Sequence, residues 1–328
     1  MDKKGLDCGT AFFVCADEDG IRLQRNAFIT LDSSTTSTKQ LQLMKVPYVI
    51  INNQISIVGT KAVELANIFN NAELRRPMRS GVLNPTERDA YPVLQLIIKN
   101  ILGEKKDKEG IVVYSVPAKP IDVVQEIDYH SDVLRTLIEN SGYTAKPINE
   151  AAALAYVGLS DDELTGISIS FGAGMANVVI MYQGISALNF AISRSGDYID
   201  SMVANDCGIT KAKAQYIKEA ANYSLDPNKI DIKTREQQAI KTYYSVLIRY
   251  ILSNIEKQFL STNMPTFPKP IKIVCGGGTS MVPGFIELFK SEFEQKQFPI
   301  DIEDIVLVKE PLTAVARGCL IAAELEEN

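Results

Sequence analysis

The sequence contains no tryptophan and a single histidine, His130, in 328 residues. Its five cysteines are scattered and form no Cys-x-x-Cys pair, which argues against a zinc site. No apolar run approaches the ~20 residues that a membrane-spanning helix needs. The formal net charge of −6 gives no basic excess for nucleic acid or anionic lipid. We therefore expect no zinc, no nucleic-acid partner and no direct membrane insertion.

The composition is that of a globular protein, with 46% hydrophobic and 23% charged residues. The length is enough for two domains. The opening "MDKKGLDCGT" lacks the apolar core of a signal peptide, so we expect a cytoplasmic protein. The stretch "DVVQEIDYHSDVLRTLIENSG" predicts one helix that Gly142 closes. His130 lies within it without a Cys or Asp partner, so we expect a surface or boundary position rather than a catalytic one.

A hairpin built on glycine occurs twice. In "GISISFGAGMANVVIMYQG", two β-rich runs, 167–171 and 177–182, flank a glycine turn. "LDCGTAF" has the same pattern, and residues 7–11 align with residues 170–174. This repetition predicts two related halves that face each other across a cleft.

Four stretches follow one another along the chain, namely "LDCGTAF", "INEAAALAYVG", "SFGAGMANVVI" and "IVCGGGTSMVPGF", and "EPLTAVARG" ends the series. Their order and spacing resemble the phosphate-1, connect-1, phosphate-2, adenosine and connect-2 motifs of the actin-like ATPase superfamily. "LRRPMRSGVLNPTERD", "SGDYIDSMV" and "PLTAVARG" most resemble stretches of the bacterial actins of the MreB and MamK type.

This resemblance implies an α/β fold with two related RNase H-like domains flanking a nucleotide cleft, each with a smaller inserted subdomain. Domain I would comprise residues 1–158 and 306–328, with its insertion at about 32–75. Domain II would comprise residues 159–305, with its insertion at about 196–254. The implied cofactors are ATP or ADP and Mg²⁺.

The phosphate-1 turn carries hydrogen-bond donors that could bind a phosphate. Gly9 lets the backbone approach a phosphate, and the N–H groups of Gly9, Thr10 and Ala11 with the Thr10 hydroxyl can donate to it. By resemblance, Asp7 is catalytic and holds Mg²⁺ through water. A tight hairpin with an Asp turn remains the alternative for this motif alone.

Glu150 opens a helix of small residues. The resemblance implies that this side chain orients or deprotonates the water that attacks the phosphate. An ordinary acid that favours the helix dipole at its N-terminus is the structural alternative.

The second phosphate turn departs from the family pattern Asp-x-Gly-x-Gly-Thr-Thr-Asp. Gly172 and Gly174 remain and can present N–H groups to a phosphate, but Ser170 and Asn177 replace the two acids. Losing one preorganised electrostatic contact typically costs on the order of 10²–10³ in rate. We therefore expect ATP binding with slow hydrolysis. The rival expectation is that Asp7 and Glu150 suffice for normal turnover.

The adenosine motif places three glycines between a strand and a helix that Thr279 and Ser280 could cap. Gln215 and Lys218 match the family's purine and ribose contacts, and a solvated helix face is the alternative for both. The full set expected to bind the nucleotide is Gly9, Thr10, Ala11, Ser170, Gly172, Ala173, Gly174, Gly196, Gln215, Lys218, Gly276, Gly277, Gly278 and Thr279.

Three functions are compatible with these motifs. The first is a cytoskeletal protein that polymerises with itself according to nucleotide state, with a contact at the hairpin around Asn52 and Asn53. The second is a non-polymerising nucleotide-binding adaptor. The third, a small-molecule kinase, lacks a candidate substrate motif. Adaptor or membrane-associated partners are possible for the first.

Overall fold

The computed structural model of the protein describes residues 1–32, 38–68, 73–105, 107, 109–220, 222–261 and 264–326. The strands are β1 (Asp2–Cys8), β2 (Phe12–Asp17), β3 (Gly20–Arg25), β4 (Phe28–Asp32), β5 (Tyr48–Ile51), β6 (Gln54–Val58), β7 (Met78–Arg79), β8 (Val82–Leu83), β9 (Gly110–Val116), β10 (Thr144–Asn149), β11 (Gly166–Phe171), β12 (Ala176–Tyr182), β13 (Ile185–Ile192), β14 (Ile271–Gly276) and β15 (Ile302–Leu307). The helices are α1 (Thr38–Leu43), α2 (Thr60–Ile68), α3 (Ala90–Leu102), α4 (Ile127–Glu139), α5 (Glu150–Gly158), α6 (Gly196–Cys207), α7 (Lys211–Ala220), α8 (Arg235–Ser261), α9 (Phe285–Glu294) and α10 (Ala314–Leu325).

The chain divides into two compact units. Unit 1 comprises residues 1–116, 125–149 and 319–328, and unit 2 comprises residues 117–124 and 150–318. The expected domain boundaries and inserted subdomains stay predictions, and residues 33–37 and 69–72 of the first insertion lie outside the described residues.

Each unit contains a five-stranded sheet of the same design. In unit 1 the strand order is β10-β9-β1-β2-β3, and in unit 2 it is β15-β14-β11-β12-β13. In both sheets an antiparallel meander continues into parallel strands. Cys8 pairs with Phe13, and Phe171 pairs with Ala176, so the two glycine turns have equal length. The predicted duplication is therefore present in the fold.

Alternation along the strands decides which residues enter each core. In β11, Ile167, Ile169 and Phe171 belong to the apolar cluster beneath α8 and α9. The ring of Phe171 lies 5.0 Å from that of Phe285, edge to face. Ser168 and Ser170 occupy the intervening positions, and the sheet of β11, β12 and β14 contacts α5.

A smaller three-stranded sheet in unit 1 has the order β4-β6-β5. Its hairpin turns at Asn52 and Asn53, whose φ angles of 50° and 62° are the left-handed pair that a two-residue hairpin requires. The predicted hairpin is confirmed. Among the described residues, no helix is long and apolar enough to cross a membrane.

The single helix expected over residues 122–142 is shorter than predicted, since α4 begins only at Ile127 and ends at Glu139. The preceding segment is bound to β13 and α8 instead. Asp122 accepts hydrogen bonds from the Ser193 N–H at 2.9 Å, the Ser193 hydroxyl at 3.0 Å and the Tyr250 hydroxyl at 3.2 Å. These bonds hold residue 122 away from helical geometry.

The expectation that His130 lies at a surface or boundary is wrong. The imidazole is fully buried, and its Nδ1 accepts the N–H of Leu83 at 3.3 Å. Burial lowers the pKa of His130 to about 4, because the charged imidazolium would lose its hydration. The side chain is therefore a neutral core residue that joins α4 to β8.

Because His130 is the only histidine, its titration is directly observable. We expect an imidazole pKa of about 4 by NMR, against 6.5 for an unperturbed side chain. The pKa of His130 is lower in the folded state than in the unfolded state. The contribution of His130 to the free energy of unfolding, ~3 kcal/mol, is therefore lost as the pH falls from about 6.5 to about 4. The non-titrating variant His130→Gln should lack this slope. A measured pKa near 6.5 would contradict the burial argument.

Candidate functional site

The first candidate cluster lies at the turn between β1 and β2 in unit 1. Asn26 fixes this turn, because its Nδ2 donates to the Gly9 carbonyl at 3.0 Å and its N–H donates to the Ala11 carbonyl at 2.9 Å. A Cβ on Gly9 would lie 2.6 Å from the Phe12 carbonyl oxygen, so this position requires glycine. Among the described residues, the N–H groups of Gly9, Thr10 and Ala11 have no hydrogen-bond partner. The turn thus combines restrained carbonyls with available donors, an arrangement that suits an anion.

The Thr10 side chain is already engaged within the protein. It is buried, and its hydroxyl oxygen accepts the N–H of Gly81 at 3.1 Å. The hydroxyl hydrogen can still be donated.

Asp7 is held by a residue that sequence reasoning missed. Ser115 on β9 donates its hydroxyl to Asp7 Oδ1 at 2.8 Å and accepts the N–H of Cys8 at 2.9 Å. The only signal for Ser115 in the sequence is a polar residue inside the apolar run "IVVYSV". Loss of hydration raises the pKa of Asp7 to about 6, and the bond from Ser115 opposes that rise. A cation beside Asp7 would favour the ionised carboxylate.

Asp7 fits a magnesium site of one particular kind. Within the described ranges, no group of three or more His, Cys, Asp or Glu residues could hold a metal ion. Mg²⁺ retains several waters and takes only one or two carboxylates beside phosphate oxygens. Asp7 is therefore suitable as a single protein ligand that acts directly or through water.

The second cluster lies at the turn between β11 and β12 in unit 2. The Gly172 carbonyl accepts bonds from the hydroxyls of Ser195 at 2.6 Å and Thr279 at 2.8 Å, and from the N–H of Gly196 at 3.2 Å. The Ala173 carbonyl accepts the N–H of Asp197 at 2.7 Å. This turn, like the first, has its carbonyls restrained.

The donors of this second turn differ from the sequence-based expectation. The N–H of Gly172 closes the hairpin by donating to the Met175 carbonyl at 3.0 Å, so it is not available to a phosphate. The N–H groups of Ala173 and Gly174 have no partner in the part of the chain that the structure describes. These two groups are the candidate anion donors of unit 2.

Two more predicted residues, Gly196 and Lys218, lie beside this turn. Lys218 is buried, and its ammonium pairs with Asp200 Oδ1 at 2.8 Å and donates to the Gly196 carbonyl at 3.0 Å. The alternative of a solvated helix face is therefore wrong for Lys218. Gln215 on the same helix donates to Glu219 at 2.7 Å and stays a predicted purine contact.

The three glycines at the end of β14 and directly after it are closely packed inside the protein, and Gly277, with a φ of 89°, requires glycine because of its backbone neighbour. A Cβ on Gly276 would lie 2.6 Å from Leu154, and one on Gly277 would lie 2.4 Å from the Phe171 carbonyl oxygen. A Cβ on Gly278 would lie 3.2 Å from Leu312. Their contact with adenosine stays a prediction.

The predicted capping by Thr279 and Ser280 is wrong. Thr279 donates to the Gly172 carbonyl, and Ser280 donates to the Gly277 carbonyl at 2.7 Å. The following helix, α9, begins after Gly284 without a side-chain cap. Thr279 therefore supports the glycine turn rather than a helix end.

Glu150 begins α5 as predicted, and its carboxylate faces the second hairpin. Ser170 donates to Oε1 at 2.6 Å, and Asn177 donates to Oε2 at 2.9 Å. The two residues that replace acids in the resemblance are thus the residues that bind Glu150.

The fold is similar to that of solved MamK and MreB structures. The chain is 19% identical to a chain of the "MamK double helical filament", with a TM-score of 0.78 and 99% of each chain covered. It is 18% identical to a non-polymerising mutant of MamK bound to AMPPNP, with a TM-score of 0.63, covering 99% of this chain and 100% of that one. It is 17% identical to MreB 5 of Spiroplasma citri bound to AMPPNP, with a TM-score of 0.66, covering 96% and 94%.

These similarities establish the actin-like ATPase fold that the motifs predicted. Residues 1–323 match the model of the Volactin family, and the chain belongs to that family. No curated protein matches the sequence.

Gly196 tests the geometry of the second cluster. A Cβ there would lie 2.5 Å from the Thr279 hydroxyl and 3.3 Å from the Lys218 ammonium. Gly196→Ala should therefore displace Thr279 from the Gly172 carbonyl and lower the unfolding free energy by ~1–3 kcal/mol in urea. Ser201→Ala on the same helix is the control and should cost under ~1 kcal/mol. Equal stability of the two variants would contradict the packing described here.

Asp7 tests the electrostatics of the first cluster. Its folded pKa is raised from 3.8 to about 6, so the folded state holds this proton more tightly than the unfolded state. The contribution of Asp7 to the free energy of unfolding, up to about 3 kcal/mol, is present below pH ~4 and is lost as the pH rises to ~6.

Asp7→Asn should remove this slope in protein free of nucleotide and metal, measured by urea unfolding between about pH 4 and pH 7. The comparison belongs in the His130→Gln background, because His130 has the opposite slope over the same range. Parallel curves with and without Asp7 would show that its pKa is not raised.

Proposed function

We propose that this protein is an actin-like, ATP-binding cytoskeletal protein that polymerises into filaments according to its nucleotide state and hydrolyses ATP slowly. The observation that carries this proposal is the pair of equivalent glycine turns. Each turn has hydrogen-bonded carbonyls and N–H donors without partners among the described residues. That combination has a clear use in binding phosphate oxygens.

Each turn is a candidate for binding the phosphates of ATP. The N–H groups of residues 9–11 in unit 1 and of Ala173 and Gly174 in unit 2 bind phosphates. Gln215, Thr279 and the glycines 276–278 contribute to binding the nucleoside side. Two similar solved structures are bound to the ATP analogue AMPPNP, which supports this assignment.

Hydrolysis is slow in this proposal because position 170 carries a serine that binds Glu150 instead of a second carboxylate for the metal. Asp7 holds Mg²⁺, which neutralises charge on the phosphates when it is bound. Glu150 orients the attacking water. Ser170, on the strand equivalent to that of Asp7, offers no second charge to the metal.

Filament formation rests on the similarity of the whole chain to a protein solved as a double helical filament. The exposed hairpin tip at Asn52 and Asn53 is a candidate for a contact between copies. Head-to-tail contacts that do not close into a ring generate filaments. Adaptor and membrane-associated partners would act on such filaments.

Sedimentation and electron microscopy test the proposal directly. Purified protein should form filaments with ATP and with AMPPNP, and should form fewer or none with ADP or without nucleotide. Phosphate release in the same tubes should lag well behind assembly, because hydrolysis is not required for it.

The nucleotide conditions serve as controls for one another. Tight ATP binding without filaments under any condition would favour the non-polymerising adaptor. Absence of ATP binding would refute the proposal altogether.

A further inference from the structure

Ser170 and Asn177 form a cross-strand pair. They lie directly opposite each other in the antiparallel register of β11 and β12. Directly opposed residues point to the same face of a sheet, and here the face is the one that α5 covers. Both side chains are buried, with exposures of 1% and 0%.

Each side chain of this pair serves a different oxygen of Glu150. The Ser170 hydroxyl binds Oε1 at 2.6 Å, and the Asn177 amide binds Oε2 at 2.9 Å. An ionised carboxylate only accepts hydrogen bonds, so both partners must donate. Serine and asparagine donate while carrying no charge, whereas an ionised aspartate at either position cannot donate.

A third bond fixes the direction of the Asn177 amide. Its Oδ1 accepts the N–H of Ala118 at 2.8 Å. Its Nδ2 must therefore point towards Glu150. Aspartate at position 177 would keep the bond to Ala118 but would set a second carboxylate oxygen against Oε2.

We propose that Ser170 and Asn177 are positioning residues that hold the Glu150 carboxylate in place for its role with the attacking water. The hydrolysis that this role serves is part of the proposed function, on which the inference rests. Two neutral hydrogen-bond donors stand where the family pattern has two acids, and they serve Glu150 rather than being remnants of a degraded motif. Restoring the acid that the resemblance expects would therefore harm the site.

Three variants at position 170 test this with steady-state phosphate release. Ser170→Asp should lower kcat about 10²-fold, because two carboxylates then compete for one site. Ser170→Ala should lower kcat with KM for ATP nearly unchanged, because the lost bond serves Glu150 and not the nucleotide. Ser170→Thr keeps the hydroxyl and should rescue kcat to within about threefold of the parent protein. An increase of kcat in Ser170→Asp would overturn the proposal.

A double-mutant cycle without nucleotide tests the same contact independently of any activity. Glu150→Gln should lower the Tm of the parent protein, because one donor then loses its acceptor. In the Ser170→Asp background the same change should raise the Tm, because the new amide can donate to the new carboxylate. An effect of equal sign and size in both backgrounds would refute the proposal.

The phosphate-release assay and the Tm cycle together distinguish failure of this inference from failure of the proposed function. If the parent protein neither binds ATP nor assembles, the proposed function fails while the Tm cycle still decides whether the contact exists. If Ser170→Asp folds only together with Glu150→Gln, the inference is supported. If Ser170→Asp folds in neither background, Asn177→Asp replaces it in the cycle, with the same reversal expected.

Discussion

The hydrogen bonds between the Glu150 carboxylate and the hairpin of unit 2 are the constraint on which the candidate site depends. They join the first residue of α5 to β11 and β12 at 2.6 and 2.9 Å. A half-buried carboxylate loses part of its hydration and needs donors in compensation, so these contacts favour donor residues at the facing positions of β11 and β12. The two positions that look like losses in the sequence are explained by this single requirement.

The same logic extends to the two glycine turns. Asn26 restrains the carbonyls of the first turn, and Ser195, Gly196 and Thr279 restrain those of the second. The two sets of partners are unrelated in sequence, although the sheets that carry the turns share one strand order. The duplicated feature is therefore the presentation of backbone donors, and each half supports it with different side chains.

Much of the fold was predictable because its signals are local. Alternating apolar runs around glycines predicted both meanders, and the Asn52–Asn53 pair predicted its hairpin. The tertiary partners were not predictable. Asp122 binds Ser193 across 71 residues of chain, which prevents the start of a helix that periodicity favours. Likewise, nothing local marks His130 as buried, because the strand that covers it, β8, is distant in sequence.

The site was predictable in outline for the same reason. The motifs pointed to Asp7, Glu150 and both turns, whereas Ser115, Asn26 and the roles of Ser170 and Asn177 depend on pairing between strands. A polar side chain in an apolar strand, as in Ser115, is the one sequence signal that was available.

The most direct measurement is an experimental structure of the protein with AMPPNP and Mg²⁺. The account predicts nucleotide phosphates bonded to the N–H groups of a glycine turn, residues 9–11 or 173–174, with Glu150 still bonded to Ser170 and Asn177. A nucleotide bound elsewhere, or a Glu150 carboxylate turned away from that pair while the nucleotide is bound, would contradict it.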